Sequence, residues 1–319
     1  MFLAFIINIV IFGVIYMARY LGQRIKEARE RLGLSQFETS KDICTQAYIS
    51  KIESGNVFPT ADILLKLADR FSVDISYLLD ISSIPRHDYV IDTFSEIREA
   101  INNRDYELVR RIIISESDNE LFKEKKLYQF LKWHEGICYF QLDHDLHNSI
   151  QCFDEALSLT ASNKKLYSER EIEILISKAN IYSQCQMYDE AIEIYNEAIN
   201  HLNKLTDIIN KHVPVRLNYN YARVLRLHSR NAESIQICEK GLKLTEKYQL
   251  MYLKGDLYFQ KALSHKALNE NEKAIESFNL AEMVYILEHN DTSLRMVKYH
   301  VTEVNKALTV HDRHEPLFL

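Results

Sequence analysis

The chain has 319 residues, a net charge of −6, 47% hydrophobic and 26% charged residues, which excludes a disordered or fibrous polymer and leaves room for two folded domains. Only seven glycines and four prolines occur, where average usage would give roughly twenty and fifteen, and such scarcity suits long helices joined by short turns. The five cysteines, Cys44, Cys138, Cys152, Cys185 and Cys238, are scattered, odd in number and without a CxxC pair, which points to a reducing compartment and away from a zinc site.

From the N-terminus, Phe2 to Tyr16 is an apolar run without charge, ending against Met17-Ala18-Arg19. A membrane span needs about 20 residues, and a signal peptide carries a basic start and a cleavage site, so the run fits neither. Two readings stay open: a mis-assigned start with Met17 as initiator, or a short anchor with Arg19 and Arg24 holding the rest in the cytoplasm. The first is preferred, because an anchor so near the first helix would crowd it. Both keep the functional domains cytoplasmic.

Residues 18–81 read as a five-helix domain. Leu21, Ile25, Ala28 and Leu32 recur at helical spacing among charged neighbours. Ser35 followed by Glu38 is a capping box and opens a second helix. Thr45 caps a third, whose Ile49 and Ile52 point inward while Gln46, Ala47, Tyr48, Ser50 and Lys51 face outward, and Gly55 stops it. Pro59-Thr60 restarts the chain into Ile63, Leu64, Leu67, Ala68 and Phe71, and Val73, Ile75, Leu78 and Leu79 form a short fifth helix. The second and third helices are joined as in a helix-turn-helix. Gln46 has the paired donor and acceptor that match adenine, and Lys51 the reach to contact guanine or phosphate. From Ala18 to Asp80 nine basic residues balance nine acidic ones, so any affinity for DNA must come from local placement and dimerisation.

This region resembles the Xre/Cro-type helix-turn-helix family in Gly33-Leu34-Ser35-Gln36, Ile49-Ser50-Lys51-Ile52-Glu53-Ser54-Gly55, Pro59, the Leu64 to Ala68 helix and Asp74 to Leu78. The resemblance implies that Gln36 lies near a phosphate and that Gln46, Ala47, Tyr48 and Lys51 face the major groove, Thr45 and Ser50 completing the interface.

A linker helix is expected over residues 82–100 and helical repeats over 101–319. HNSIQCFDEAL from His147, DEAIEIYNEAI from Asp189, AESIQICEKGL from Ala232 and EKAIESFNLAE from Glu272 are copies of one pattern. Ser149, Ala191, Ser234 and Ala274 stand at equivalent places, where a second helix crosses close to its neighbour. A first helix precedes each: Leu127 to Phe140, Glu171 to Gln184, Leu217 to Leu227 and Tyr252 to Leu268. A weaker copy spans Phe94 to Ile114, with Asp105-Tyr106-Glu107-Leu108 at its turn, and Val297 to Leu308 caps the stack. The pattern is similar to tetratricopeptide repeats with a lengthened period, about five repeats in all, and such pairs wind into a right-handed superhelix lined by the first helices.

Asn180, Asn220 and Gln260 recur on those first helices, and a row of carboxamides can hold the backbone of an extended peptide. Tyr219, Arg223, Arg226, Tyr258 and Lys261 are expected along the same wall. Cys138, Cys152 and Cys238 read as buried small hydrophobes, with Cys44 and Cys185 the candidates for redox sensing. His144 and His147 with Asp143 and Asp145 form the one cluster of metal-ligand types, at a turn where polar residues are ordinary. No phosphate loop, nucleophile elbow or HExxH occurs, so neither an enzyme nor a cofactor is expected.

An Xre-type domain followed by such repeats resembles the peptide-pheromone regulators of Gram-positive bacteria, the group containing Rap, NprR, PlcR and PrgX. The PlcR type is matched by ICTQAYISKIESGNVFPTADIL, by Asn180 to Tyr182, by YNYARVLRLHSRNAES from Tyr219 and by LKGDLYFQ from Leu253. The resemblance implies an all-α transcriptional regulator, a homodimer on double-stranded DNA with a palindromic operator, controlled by a short signalling peptide in the concave face of the repeats. Asn220 then matches a backbone-gripping asparagine and Arg104 a basic residue near the first repeat. Ile176 stands where the family has a second asparagine, Asp256 where it has a glutamine and Asn102 where it has a second lysine, so the peptide differs in sequence and charge. The implied peptide contacts are Arg104, Asn180, Asn220, Arg223, Asp256 and Gln260. The alternatives are a tetratricopeptide interaction scaffold and a Rap-like inhibitor of a response regulator.

Overall fold

The computed structural model describes residues 18–19, 21–73, 75, 78, 85–161 and 166–311. The apolar run Phe2 to Tyr16 and Leu79 of the expected fifth helix lie outside the described residues. All regular structure among the described residues is helical, as expected, in two compact units, Met1–Glu99 and Ala100–Leu319.

In the first unit α1 covers residues 21–31, followed by α2 (Gln36–Ser40), α3 (Gln46–Glu53) and α4 (Ala61–Phe71). The expected capping box is present: the Glu38 amide donates to Ser35 Oγ at 3.1 Å and the Ser35 amide to Glu38 Oε2 at 2.7 Å. Thr45 Oγ1 accepts from the Tyr48 amide at 3.2 Å and opens α3. Each cap satisfies amides that the first helical turn leaves without a partner. Leu21, Ile25, Ala28, Ile49, Ile52, Leu64, Leu67, Ala68, Phe71 and Leu78 form one buried cluster. Two glycines permit its density. A Cβ on Gly22 would stand 2.1 Å from the Ile52 carbonyl oxygen, so α1 crosses the end of α3 on bare backbone. Gly55, at φ +72°, ends α3 and lies against Arg19, where a Cβ would meet the Arg19 Cα at 2.5 Å.

Helix α5 (Pro85–Asn102) leads into the second unit, a succession of helix pairs. Beyond α6 (Tyr106–Ser117) they are α7 (Lys125–Asp143) with α8 (Leu146–Ala161), α9 (Glu169–Gln184) with α10 (Tyr188–Leu202), α11 (His212–Leu227) with α12 (Asn231–Lys247), and α13 (Lys254–Ala267) with α14 (Asn271–Leu287), closed by α15 (Asp291–His311). Ser149, Ala191, Ser234 and Ala274 are each fully buried where the second helix meets the first. Facing them, a Cβ on Gly136 would stand 2.9 Å from the Ser149 carbonyl oxygen.

Every turn between first and second helix uses one residue in the left-handed region: Arg104 (φ 59°), His144 (54°), Gln186 (63°), Ser229 (61°) and Asn269 (60°). Each stands five residues before the equivalent buried position, which makes Val109 the counterpart in α6. None is glycine, so a frame of this regularity carries no glycine signal.

A second repeated feature joins successive pairs. Lys178 on α9 reaches Asp154 on α8, Tyr221 on α11 donates to Asn196 on α10 at 2.8 Å, and Lys261 on α13 meets Glu239 on α12 at 2.9 Å. The donors all stand thirteen residues before their own repeat's buried small residue, and the acceptors five residues after that of the preceding repeat. Solenoid stability resides in such nearest-neighbour contacts.

Candidate functional sites

In the first unit α3 presents its outer face clear of internal bonds. Gln46, Ala47, Ser50 and Lys51 are exposed, and no hydrogen bond from the side chains of Gln46 or Lys51 occurs among the described residues. Thr45 is exposed with its hydroxyl engaged as the cap. Tyr48 is half-buried and packs against the core cluster, so its ring is fixed from below.

Gln36 is held inside a network. Its Nε2 donates to Glu53 Oε2 at 2.8 Å, while Arg29 donates to the same carboxylate through Nε at 2.6 Å and Nη2 at 3.1 Å. Arg29 Nη1 also reaches the Leu34 carbonyl at 2.9 Å. Hydrogen bonding from Glu53 raises the Arg29 pKa against the opposing effect of burial. The side chains are only 12% and 5% exposed, so this is a buried pair that locks α1, α2 and α3 together. Arg70 adds a further tie, donating to the carbonyls of Glu38 and Lys41 from α4. None of these long-range bonds was legible in local sequence. Exposed Phe37, at the N-terminus of α2, was also not anticipated.

In the second unit the first helices face one another along one side. Trp133 Nε1 donates to Ser177 Oγ at 2.9 Å, Arg216 pairs with Glu173, and Arg226 Nε donates to Gln260 Oε1 at 2.8 Å. Counted from each repeat's buried small residue, Glu135, Ser177, Asn220 and Gln260 share one position. Asn220 is half-buried and Gln260 is 6% exposed.

Asn180 lies one helical turn further along, in register with Arg223, and accepts from the Tyr195 hydroxyl at 2.6 Å. The equal spacing of Asn180, Asn220 and Gln260 therefore does not mark one row, because the repeats carrying Asn180 and Asn220 are offset by three more residues than those carrying Asn220 and Gln260. Ile176 is 2% exposed. Asp256 accepts from the Tyr285 hydroxyl at 3.1 Å, and burial raises its carboxyl pKa despite that bond. Arg104 is the exposed left-handed residue of the first turn, and Asn102 is exposed beside it. Arg223 is exposed, and Arg226 half-buried.

Tyr258 and Lys261 turn away from the wall on which they were expected. Both line a pocket of about 460 Å³ with Ile235 and Glu239 of α12 and Ser277 of α14. One residue of helix is a rotation of about 100°, which places Lys261 on a different face from Gln260.

Burial pushes the thiols of Cys138, Cys152 and Cys238 up to about 12, which fits inert core cysteines, and it also raises those of Cys44 and Cys185. At the α7–α8 turn, Asp143 pairs with Arg110, and Asp145 accepts from the Asn148 amide at 3.0 Å and its side chain at 2.6 Å. These carboxylates serve packing and capping.

A helix-turn-helix unit followed by paired helices in tetratricopeptide style defines the class of DNA-binding regulators with a helical-repeat sensor domain. Family comparison agrees: residues 22–81 match a helix-turn-helix domain, and residues 94–302 match the RNPP family C-terminal domain. The chain belongs to the RNPP family. Among solved structures, Bacillus thuringiensis PlcR in complex with the peptide PapR7 and DNA has a TM-score of 0.72 at 23% identity, over 88% of this chain and 99% of that one. ComR from S. thermophilus, in complex with DNA and its signalling peptide ComS, has 0.61 at 18%, over 89% and 99%. The Streptococcus dysgalactiae SHP pheromone receptor Rgg2 has 0.61 at 14%, over 89% and 99%. At these identities the likeness establishes the fold. No curated protein sequence matches the chain.

Proposed function

We propose that the chain is a dimeric DNA-binding transcriptional regulator, not an enzyme, whose hold on its operator is set by a short signalling peptide bound along the first helices of the repeat unit. The observation that carries this reading is the joining, in one RNPP-family chain, of an unencumbered α3 face to a wall of first helices bearing Asn220, Arg223 and Gln260. Gln46 and Lys51 are the base and phosphate contacts, positioned by Thr45, Ala47 and Ser50, while Gln36 acts through its bond to Glu53. Peptide contacts are assigned to Asn220, Arg223 and Gln260, with Arg104, Asn180 and Asp256 flanking them.

A peptide that prefers the DNA-competent arrangement shifts the population by its differential affinity for the two states. A two-fold dimer favours a palindromic operator. The exposed apolar residues Met283, Ile286 and Leu287 of α14, with Met296 and Tyr299 of α15, support a second copy as partner. A place in the cytoplasm follows from action on DNA, and no described helix is long and apolar enough to cross a membrane.

The test is fluorescence anisotropy on DNA from the gene's own upstream region, with and without the low-mass fraction of spent culture medium. Binding that changes with the fraction is the expected result. Binding indifferent to it would remove the peptide, and no binding at all would remove the regulator.

A further inference from the structure

At three other contacts between first helices, or between successive pairs, the cation faces a carboxylate: Arg216 meets Glu173, Lys178 meets Asp154 and Lys261 meets Glu239. Arg226 does not. Its sole bond among the described residues runs from Nε to the neutral carboxamide of Gln260, which leaves both terminal nitrogens of the guanidinium without a partner. It is nevertheless withdrawn from water, and burial, followed by the repulsion of Arg223, lowers its pKa. Arg223 stands one turn before it on α11 and takes part in no ion pair among the described residues. The same field reaches α15, where burial and the charges of Lys266 and Arg226 lower the His300 pKa against the opposing pull of Glu303. His300 Nδ1 is buried there without a hydrogen-bond partner.

A desolvated guanidinium beside a second one, with its planar fork vacant, is costly unless an anion completes it. The geometry that fits such a fork is a carboxylate, bound through two parallel N–H···O bonds. The Tyr219 phenol, half-buried beside both arginines and Gln260, adds a wall to the same place. Asp256, the acidic group whose charge also reaches Tyr219, accepts from the Tyr285 hydroxyl.

We propose that Arg226, with Arg223, is the seat of a carboxylate on the bound peptide, supplied by an acidic side chain or by the free C-terminus, so that this repeat selects ligands by negative charge. Gln260 positions the Arg226 fork by holding Nε. The proposal rests on the peptide reading given above and deepens it.

The experiment titrates the full chain with heptapeptide sets of otherwise neutral composition. They carry Glu or Gln at one fixed position and have a free or an amidated C-terminus, and the readout is the rise in melting temperature. Wild type should respond to a carboxylate-bearing set at concentrations on the order of ten- to a hundred-fold below those of the neutral amidated set, as for a charge-assisted hydrogen bond. The Glu-amidated and neutral free-terminus sets separate the two sources. Arg226→Gln and Arg223→Gln should lose this preference while keeping the weaker response to neutral peptides, and Arg226→Lys should fall between. A preference that persists in both glutamine variants, or equal binding of the neutral amidated set to wild type, overturns the proposal. Silence from every set overturns the peptide reading itself, and the carboxylate seat with it.

Discussion

The two units hold their shape by opposite means. In the N-terminal unit, single atoms decide the packing: Gly22 lets α1 cross the Ile52 carbonyl, and Glu53 gathers Arg29 and Gln36 onto one carboxylate. In the repeat unit the same small device recurs from α7 onward, a left-handed turn residue and a buried small residue in each pair and one polar bond between each pair and the next. A reading head must hold one helix at one angle, whereas a sensor wall needs only that each pair follow the last. Damage should therefore be global in the first unit and local in the second.

The sharpest break should come from Glu53→Ala, which leaves the buried Arg29 guanidinium without its carboxylate. Losing one partner of a buried pair costs about 3–5 kcal/mol. The N-terminal unit should melt separately and early, with the repeat transition unchanged, as read by calorimetry. A single shifted transition for the whole chain would contradict the independence of the two units.

Gln46→Ala with Lys51→Ala should leave both melting transitions in place and abolish sequence-specific DNA binding, since each good base contact is worth about 1–3 kcal/mol of discrimination. Anisotropy against operator and scrambled DNA reads this directly. Undiminished specificity would move the reading surface off α3. Gly22→Ala comes next, at about 1–3 kcal/mol of overpacking or more, because the obstacle is a backbone oxygen that no rotamer change can clear. It should lower DNA affinity by tilting α3, an effect that peptide cannot restore.

How much of this was legible follows from the range of the signals. Caps at Ser35 and Thr45 are contacts of three residues, and local sequence states them outright. The repeats announced themselves through Ser149, Ala191, Ser234 and Ala274, since only a small residue fits a close crossing. The network of Arg29, Glu53 and Gln36 spans 24 and 17 residues and left no local trace. Sequence spacing misplaces the wall for a different reason. Spacings of forty residues put Asn180 in a row with Asn220 and Gln260, yet the extra residues of the longer repeat sit in the connection between α10 and α11 and carry no helical phase. Phase is fixed at the left-handed turn inside each pair. Counting from Gln186, Ser229 and Asn269 puts Ser177, not Asn180, beside Asn220, and places Lys261 on a different face from Gln260. Those turns are silent in sequence because none uses glycine.

Removing one link of the repeat unit should show how local its damage is. Tyr221→Phe deletes the bond to Asn196 between the second and third full pairs, a neutral hydrogen bond worth about 0.5–1.5 kcal/mol. Hydrogen exchange should rise in α10 and α11 and stay unchanged in α7, α8 and α14. Uniform acceleration across the unit would mean that the stack is one cooperative block.

The gentlest test strengthens the molecule. Ser229 holds φ 61° at the turn between α11 and α12, where its amide donates to the Arg226 carbonyl at 2.9 Å and its own side chain donates no bond that the turn requires. A left-handed conformation costs an ordinary residue about 1–2 kcal/mol, and glycine escapes that cost but brings about 0.4–1 kcal/mol of extra chain entropy to the unfolded state. Ser229→Gly should therefore stabilise the repeat unit by a few tenths to about 1 kcal/mol, visible as a small rise in its melting temperature alone. The turn directly follows Arg223 and Arg226, so a stabilised variant that still responds to peptide at the same concentration would show that the wall is already formed before ligand arrives. A weakened response would show that the strain at Ser229 is part of how α11 adjusts to its peptide, and the five left-handed turns would then be hinges as well as spacers.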